Sequence, residues 1–269
     1  MRSSALPQGG EFLKSQDSLD GLPQVEDEQF EWWACLIAVP AALLLGALFH
    51  MVLPGLQRIF LGMPVHELGH AATAWFTGHW AIPTLWKTMW GEERGFVMPL
   101  LLAGGLGWVI WKGRAAESPL LMALGASLLV VQVVGTFLIK PATALALITW
   151  GGDGTGMILA TALMASFFFG KETQLYRGSL RWGFLVIGAG AFADMFGTWW
   201  AARSDFGAIP FGEMEGVGLS DPTKLVDDYG WATEAMVRRY VVTGACCLLA
   251  LAALYAWGVM RARPKHSRP

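Results

Sequence analysis

Two histidines separated by three residues, with a glutamate between them, are the feature of this sequence best suited to chemistry. His66, Glu67 and His70 form the pattern His-Glu-x-x-His inside an apolar stretch. On a helix, residues four apart lie on one face about one turn apart, so both imidazoles can reach the same ion. Glu67 is offset from His66 by about 100°, which suits a general base acting on water acidified by Zn²⁺ better than a third ligand. The pattern predicts a zinc hydrolase site with His66 and His70 as metal ligands and Glu67 as the catalytic residue.

The setting of this pattern strengthens the prediction. Three ionisable side chains within one apolar helix cost about 2–3 kcal/mol each, or more, unless something compensates for their charge. A bound metal would do so, because neutral imidazoles donate their lone pairs to it and the carboxylate can hydrogen-bond water. The alternative interpretation of the three residues is a polar contact between two helices.

A hydrolytic zinc site needs a third protein ligand and an open fourth position. Two aspartates are embedded in apolar sequence: Asp153, in the glycine-rich segment 150–156, and Asp194, within a predicted helix. The glycines around Asp153 would let its helix open and bring the carboxylate close to the ion, as broken helices do in membrane sites. We therefore favour Asp153 as the third metal ligand and keep Asp194 as the alternative.

The composition indicates where these residues lie. Of 269 residues, 54% are hydrophobic and 15% are charged, whereas about a quarter of a typical soluble domain is charged. This excludes a soluble globular enzyme and a disordered chain, and the net charge of −2 offers no basic patch for nucleic acid. The sequence predicts an all-α polytopic integral membrane protein whose partners are membrane lipids and not nucleic acid.

Apolar runs predict six transmembrane helices, at 32–53, 58 to about 79, 119–139, 142–169, 182–201 and 240–260. The stretch 96–111 is short and contains three glycines, so it is predicted to be a re-entrant segment or a seventh span. With six spans, lysine and arginine divide 13 to 6 in favour of the side that holds both termini; with seven, they divide 10 to 9. The bias of positive charge towards the cytoplasm thus favours six spans and cytoplasmic termini.

The remaining segments complete the predicted organisation. Residues 1–31 are predicted to be a flexible acidic tail, 32–260 a membrane domain, and 261–269 a basic C-terminal tail. The longest loop, 203–239, contains seven acidic residues and is predicted to be a solvated cap.

The segment Val65-His66-Glu67-Leu68-Gly69-His70-Ala71 resembles the active-site helix of the site-2 protease family, which are intramembrane zinc metalloproteases. That family pairs the histidine motif with an Asp-Gly motif two core spans later, where this chain has Asp153-Gly154, and often has a re-entrant element where 96–111 falls. The resemblance implies a protease core at about 58–169, with zinc on His66, His70 and Asp153. It also implies transmembrane or membrane-associated protein substrates, and a bacterial inner (plasma) membrane as the location.

Three other functions remain open. A metal ion transporter, or a metal-binding membrane protein without protease activity, would use the same histidines along a path of ligands. A membrane protease acting on soluble substrates could take its third ligand from a glutamate outside the spans, namely Glu172, Glu213, Glu215 or Glu234. A pseudoprotease would bind clients without cutting them, although the intact Glu67 argues against it.

Overall fold

A computed structural model describes residues 22–169, 179–214 and 218–264 of the chain. This part of the chain is mostly helical, which confirms the predicted all-α class. Its α-helices are α1 (Leu22–Val52), α2 (Pro54–Gln57), α3 (Met63–Phe76), α4 (Val97–Ala115), α5 (Pro119–Val133), α6 (Pro141–Ala165), α7 (Leu180–Ala201), α8 (Asp221–Asp227) and α9 (Thr233–Ala262).

Short irregular elements join several of these helices. A π-helical turn, Arg58–Gly62, leads directly into α3, and a second one, Val134–Leu138, extends α5. The 3₁₀ turns are Ser166–Phe168 and Phe206–Ala208. Two-residue strands, β3 (Glu213–Met214) and β4 (Gly218–Leu219), pair just before α8.

One hairpin near the histidine motif was not expected from the sequence. Strands β1 (His79–Pro83) and β2 (Thr88–Arg94) pair antiparallel, with Ala81 opposite Trp90, and the hairpin packs on α3. The strand pattern of β2 is weak in the sequence. Apolar and polar residues do not alternate in its second half, which is Gly91-Glu92-Glu93-Arg94.

Four helices of the described chain are long and apolar enough to cross a membrane: Glu28–Val52, Pro119–Leu138, Leu180–Ala201 and Thr233–Ala262. This is the pattern of a membrane protein. The helices α3 and α6, which carry the predicted site, are not among the four. Helix α3 has only 14 residues, and α6 packs against α3, α7 and α9. The predicted ligands on α3 and α6 therefore lie on two helices that pack against each other and are not themselves candidate spans.

The predicted boundaries shift in two places. Helix α1 begins at Leu22, inside the segment predicted to be a flexible tail, and Glu31 within it accepts hydrogen bonds from Arg181 of α7 at 2.6 and 2.9 Å. The remainder of that tail, 1–21, and residues 265–269 lie outside the described chain. The stretch 96–111 forms most of α4, a continuous helix that packs against α5.

The helix break expected at the glycine-rich segment is absent. Helix α6 runs unbroken from Pro141 to Ala165. The glycines serve a close approach between helices instead. A Cβ on Gly152 would lie 2.6 Å from Nε2 of His70, and one on Gly69 would lie 2.6 Å from the carbonyl oxygen of Gly152. Glycine on both faces thus brings the backbone of α6 against the histidine side of α3.

Candidate metal centre

The two histidines of the motif lie side by side in the interior. Helix α3 begins at Met63, and Pro64 occupies its first turn, where its missing N–H leaves no intrahelical bond unmade. His66 and His70 follow one turn apart, with only 7% and 3% of their surfaces exposed, and their Nε2 atoms are 3.1 Å apart.

The other nitrogen of each imidazole contacts an acceptor. Nδ1 of His66 lies 2.7 Å from Oδ1 of Asp153, and Nδ1 of His70 lies 2.7 Å from the carbonyl oxygen of Ile148. A metal-binding imidazole is neutral and has one N–H and one lone pair, so in that state these two acceptors would hold the N–H on Nδ1. Both Nε2 lone pairs then face the space between the rings, as in a metal-binding histidine pair.

A carboxylate from the predicted cap faces the same space. Oδ2 of Asp221 lies 3.2 Å from Nε2 of His66 and 3.0 Å from Nε2 of His70. Burial raises the pKa of the Asp221 carboxyl, but the adjacent His70 and His66 outweigh burial and hold that pKa far below its usual range. That shift belongs to the ion pair of the carboxylate with protonated imidazoles; zinc would take the place of those protons, and it binds a carboxylate in the ionised form.

These three atoms, which we call the ligand triad, fit a zinc ion. A tetrahedral ion with bonds of about 2.0–2.1 Å holds its ligands roughly 3.3 Å apart, close to the 3.0–3.2 Å separations found here. Two lone pairs and a carboxylate oxygen repel one another unless a cation or proton lies among them. The donor set of two imidazoles and one carboxylate also leaves a fourth position open.

Glu67 is buried next to the triad on the same helix. Its backbone carbonyl accepts a 2.7 Å hydrogen bond from the hydroxyl of Thr88 in β2, which ties α3 to the hairpin. The hairpin also stacks Trp90 on the ring of His70, with centroids 5.4 Å apart. The side chain of Glu67 is the candidate general base of the histidine motif.

The structure places the two aspartates favoured by the sequence differently. Asp153 does reach His66, but at Nδ1, on the opposite side of the ring from the triad. Asp194 contacts Arg58 at 3.0 Å and lies 3.8 Å from Nδ1 of His50, away from the triad. Because α6 does not open, the Asp153 carboxylate stays behind the imidazole, and the geometry favours Asp221 in its place as the third ligand.

Sequence reasoning missed Asp221, although one signal was present. Ser220-Asp221-Pro222 is typical of a helix start, and α8 does begin at Asp221. Six other acidic residues share the loop, and nothing local distinguishes Asp221 from them. Of the alternative glutamate ligands, Glu172 and Glu215 lie outside the described residues, whereas Glu213 and Glu234 are exposed and not part of the triad.

No protein family model, curated protein or solved structure matches this chain.

Proposed function

We propose that this protein is a zinc-dependent endopeptidase that hydrolyses peptide bonds within or next to the membrane. The observation that supports this most directly is the ligand triad, in which three donor atoms, two from buried histidines and one from the partly buried Asp221, lie 3.0–3.2 Å apart. Two imidazoles with fixed Nε2 lone pairs and one carboxylate form the ligand set of a hydrolytic zinc site with an open position.

Each residue around the site has a role in the proposed reaction. His66, His70 and Asp221 would hold Zn²⁺, which when bound supplies Lewis acidity for the peptide carbonyl and lowers the pKa of water. Glu67 accepts the proton from that water and returns it to the leaving amine. The backbone contact from Thr88 and the stacked Trp90 keep α3 and the ring of His70 in place.

The surrounding helices support a membrane substrate. A transmembrane or membrane-associated protein is the substrate class that we propose, because the described chain contains four helices long and apolar enough to cross a membrane. A substrate helix must unwind locally first, because its carbonyls are hydrogen-bonded within the helix. Six spans, cytoplasmic termini and an inner (plasma) membrane location remain part of the proposal.

A metal transporter is less well supported. Transport requires ligands at successive positions along a path, whereas the described residues contain one group of metal-ligating side chains, the triad. Asp153 and Asp194 do not extend it into a path, because both carboxylates bind Arg58.

The proposal is tested by Glu67→Gln in proteoliposomes that also contain a single-span reporter substrate. We expect zinc content to stay at the wild-type stoichiometry and cleavage to fall by about 10²–10⁴-fold, because the general base is lost. Glu93→Gln, at an exposed position of β2, is the matched control and should cleave as wild type. Undiminished cleavage by Glu67→Gln would overturn the mechanism, and zinc flux that survives this substitution without any cleavage would favour transport.

A further inference from the structure

A second cluster of polar side chains, three of them charged, lies next to His66 on the side away from the ligand triad. We call it the rear network, and it consists of Arg58, Asp153, Asp194 and Trp199. Nη1 of Arg58 donates to Oδ1 of Asp153 at 3.1 Å and to Oδ2 of Asp194 at 3.0 Å. The indole N–H of Trp199 donates to Oδ2 of Asp153 at 2.8 Å. Both carboxylates and the indole are buried.

The contacts of Asp153 leave it little freedom to turn. Its Oδ1 accepts from Arg58 and from Nδ1 of His66, and its Oδ2 accepts from Trp199. Charge-assisted bonds of this kind are the stronger ones, and three of them from three directions fix the carboxylate plane. The backbone beneath it is an uninterrupted helix, so no loop is available to carry the side chain elsewhere.

Arg58 is the link between the two aspartates. Without a cation, two buried carboxylates so close together would repel each other and favour protonation of one of them. Arg58 lies in the π-helical turn that precedes α3, eight residues before His66, and its Nη2 is 3.3 Å from Nδ1 of that histidine. One guanidinium therefore connects α6 and α7 to the turn from which the histidine helix starts.

From this geometry we infer that Asp153 is a positioning residue for His66 and not a metal ligand, with Arg58 and Asp194 holding it in place. This inference rests on the proposed metal centre. The two nitrogens of an imidazole point in widely different directions, so a carboxylate 2.7 Å from Nδ1 lies on the far side of the ring from an ion at Nε2. Asp153 accepts the Nδ1–H, which fixes the tautomer, orients the ring and makes Nε2 a better donor.

The rear network also explains the presence of Asp194, which the metal centre alone does not. Asp194 has no contact with the triad, yet it is buried in the middle of α7. Its role is to accept a second hydrogen bond from the same Nη1 that donates to Asp153, so that Arg58 stays beside Asp153. On this view Asp153, Arg58 and Asp194 act in series, and removing any one of them loosens the same histidine.

The test compares Asp153→Asn with Asp221→Asn in the full-length protein, using Co²⁺ as a spectroscopic probe and zinc affinity as the second readout. The positioning role predicts that Asp153→Asn keeps one metal per chain and the absorption of tetrahedral Co²⁺, with affinity reduced by about 10–100-fold. Asp221→Asn should lose the tetrahedral absorption. The reverse result, lost absorption in Asp153→Asn and retained absorption in Asp221→Asn, would make Asp153 the ligand and overturn the inference.

Arg58→Gln supplies an independent arm. It removes no candidate ligand, so we expect retained stoichiometry and an affinity loss of the same order as in Asp153→Asn. The double variant should be little weaker than either single one, because the two residues act through one contact. Losses that multiply in the double variant, or wild-type affinity in Arg58→Gln, would contradict the inference. Thermal unfolding without metal identifies variants that fail to fold, and Asp153→Glu then restores a carboxylate for comparison.

Failure of this inference is distinct from failure of the proposed function. If the wild-type protein takes up neither zinc nor Co²⁺, the metal centre itself is wrong. If wild type and Asp153→Asn bind metal with equal affinity, the metal centre stands and only the positioning role is refuted.

Discussion

A single carboxylate from a distant part of the chain lies against the two histidines of the motif. His66 and His70 come from α3, whereas Asp221 is the first residue of the seven-residue helix α8. Oδ2 of Asp221 lies 3.0–3.2 Å from two imidazole nitrogens, which suits an ion pair with protonated histidines and equally a metal ion shared by all three residues. The identity of residue 221 should therefore matter more for metal binding than any other position of the loop.

We expect Asp221→Asn to abolish stoichiometric zinc binding, because a neutral amide is a poor third ligand for Zn²⁺. The measurement is zinc content after dialysis against a defined free-metal buffer. Asp227→Asn, at an exposed position near the end of the same helix, is the matched control and should bind zinc as wild type. Equal zinc content in both variants would remove Asp221 from the site.

At this scale the sequence predicted the local chemistry but not the long-range contact. His66, Glu67 and His70 are close in the chain, so helical periodicity alone places them. The proximity of Asp153 to His66 was also expected, but which ring nitrogen it meets depends on whether α6 opens. Asp221 is brought in by the packing of a loop, and no pattern in the chain encodes that packing.

Among the elements, the contact between α3 and α6 is the one that the site requires. Gly69 and Gly152 face each other across it, with no room for a side chain on either. Two helices that approach this closely bring the backbone carbonyl of Ile148 to His70 as well as the Asp153 carboxylate to His66. The geometry of the site thus depends on glycine, which has no Cβ, at both of these positions.

Gly152→Ala should disturb the centre without removing any of its ligands. The new Cβ would lie 2.6 Å from Nε2 of His70, so the helices must separate or the ring must turn. Overpacking of this kind costs about 1–3 kcal/mol, and we expect lower thermal stability together with at least a tenfold loss of zinc affinity.

The control is Gly104→Ala in α4, where a Cβ meets nothing within 4 Å. Alanine there should leave zinc affinity unchanged and stabilise the helix by up to about 0.5–1 kcal/mol. If Gly152→Ala binds zinc as tightly as Gly104→Ala does, the close contact is not what positions the histidines.

The glycine-rich segment also shows why elements were predicted better than their contacts. Apolar runs identified the long helices, because length and hydrophobicity are local properties. Glycines around Asp153 are compatible both with an opened helix and with a tightly packed one, and only the partner helix decides between them. The β1–β2 hairpin was missed for a related reason, since it is stabilised by packing on α3.

For the whole molecule, a metal ion at the triad would join parts that are distant in the chain. It would link α3 to α8, while the rear network links the start of α3 to α6 and α7. An ion that binds the folded chain alone stabilises it by mass action.

Zinc should therefore raise the unfolding temperature of the detergent-solubilised protein. Free zinc at a hundredfold excess over its dissociation constant contributes about 2.7 kcal/mol, a rise of roughly 5–10 °C for a chain of this size. Glu67→Gln should show the same rise and Asp221→Asn should show none. A zinc-induced rise of equal size in Asp221→Asn would mean that the ion stabilises the protein from another site.

The position of Asp221 in the chain has a further consequence, for synthesis. The ribosome makes the two histidines early, and about 150 residues separate His70 from Asp221. A nascent chain that ends before residue 221 already contains α3, α6 and α7 but lacks the proposed third ligand. In the proposed metal centre, the full ligand set would therefore form only after α8 has been translated, and no complete site would exist on the shorter chain.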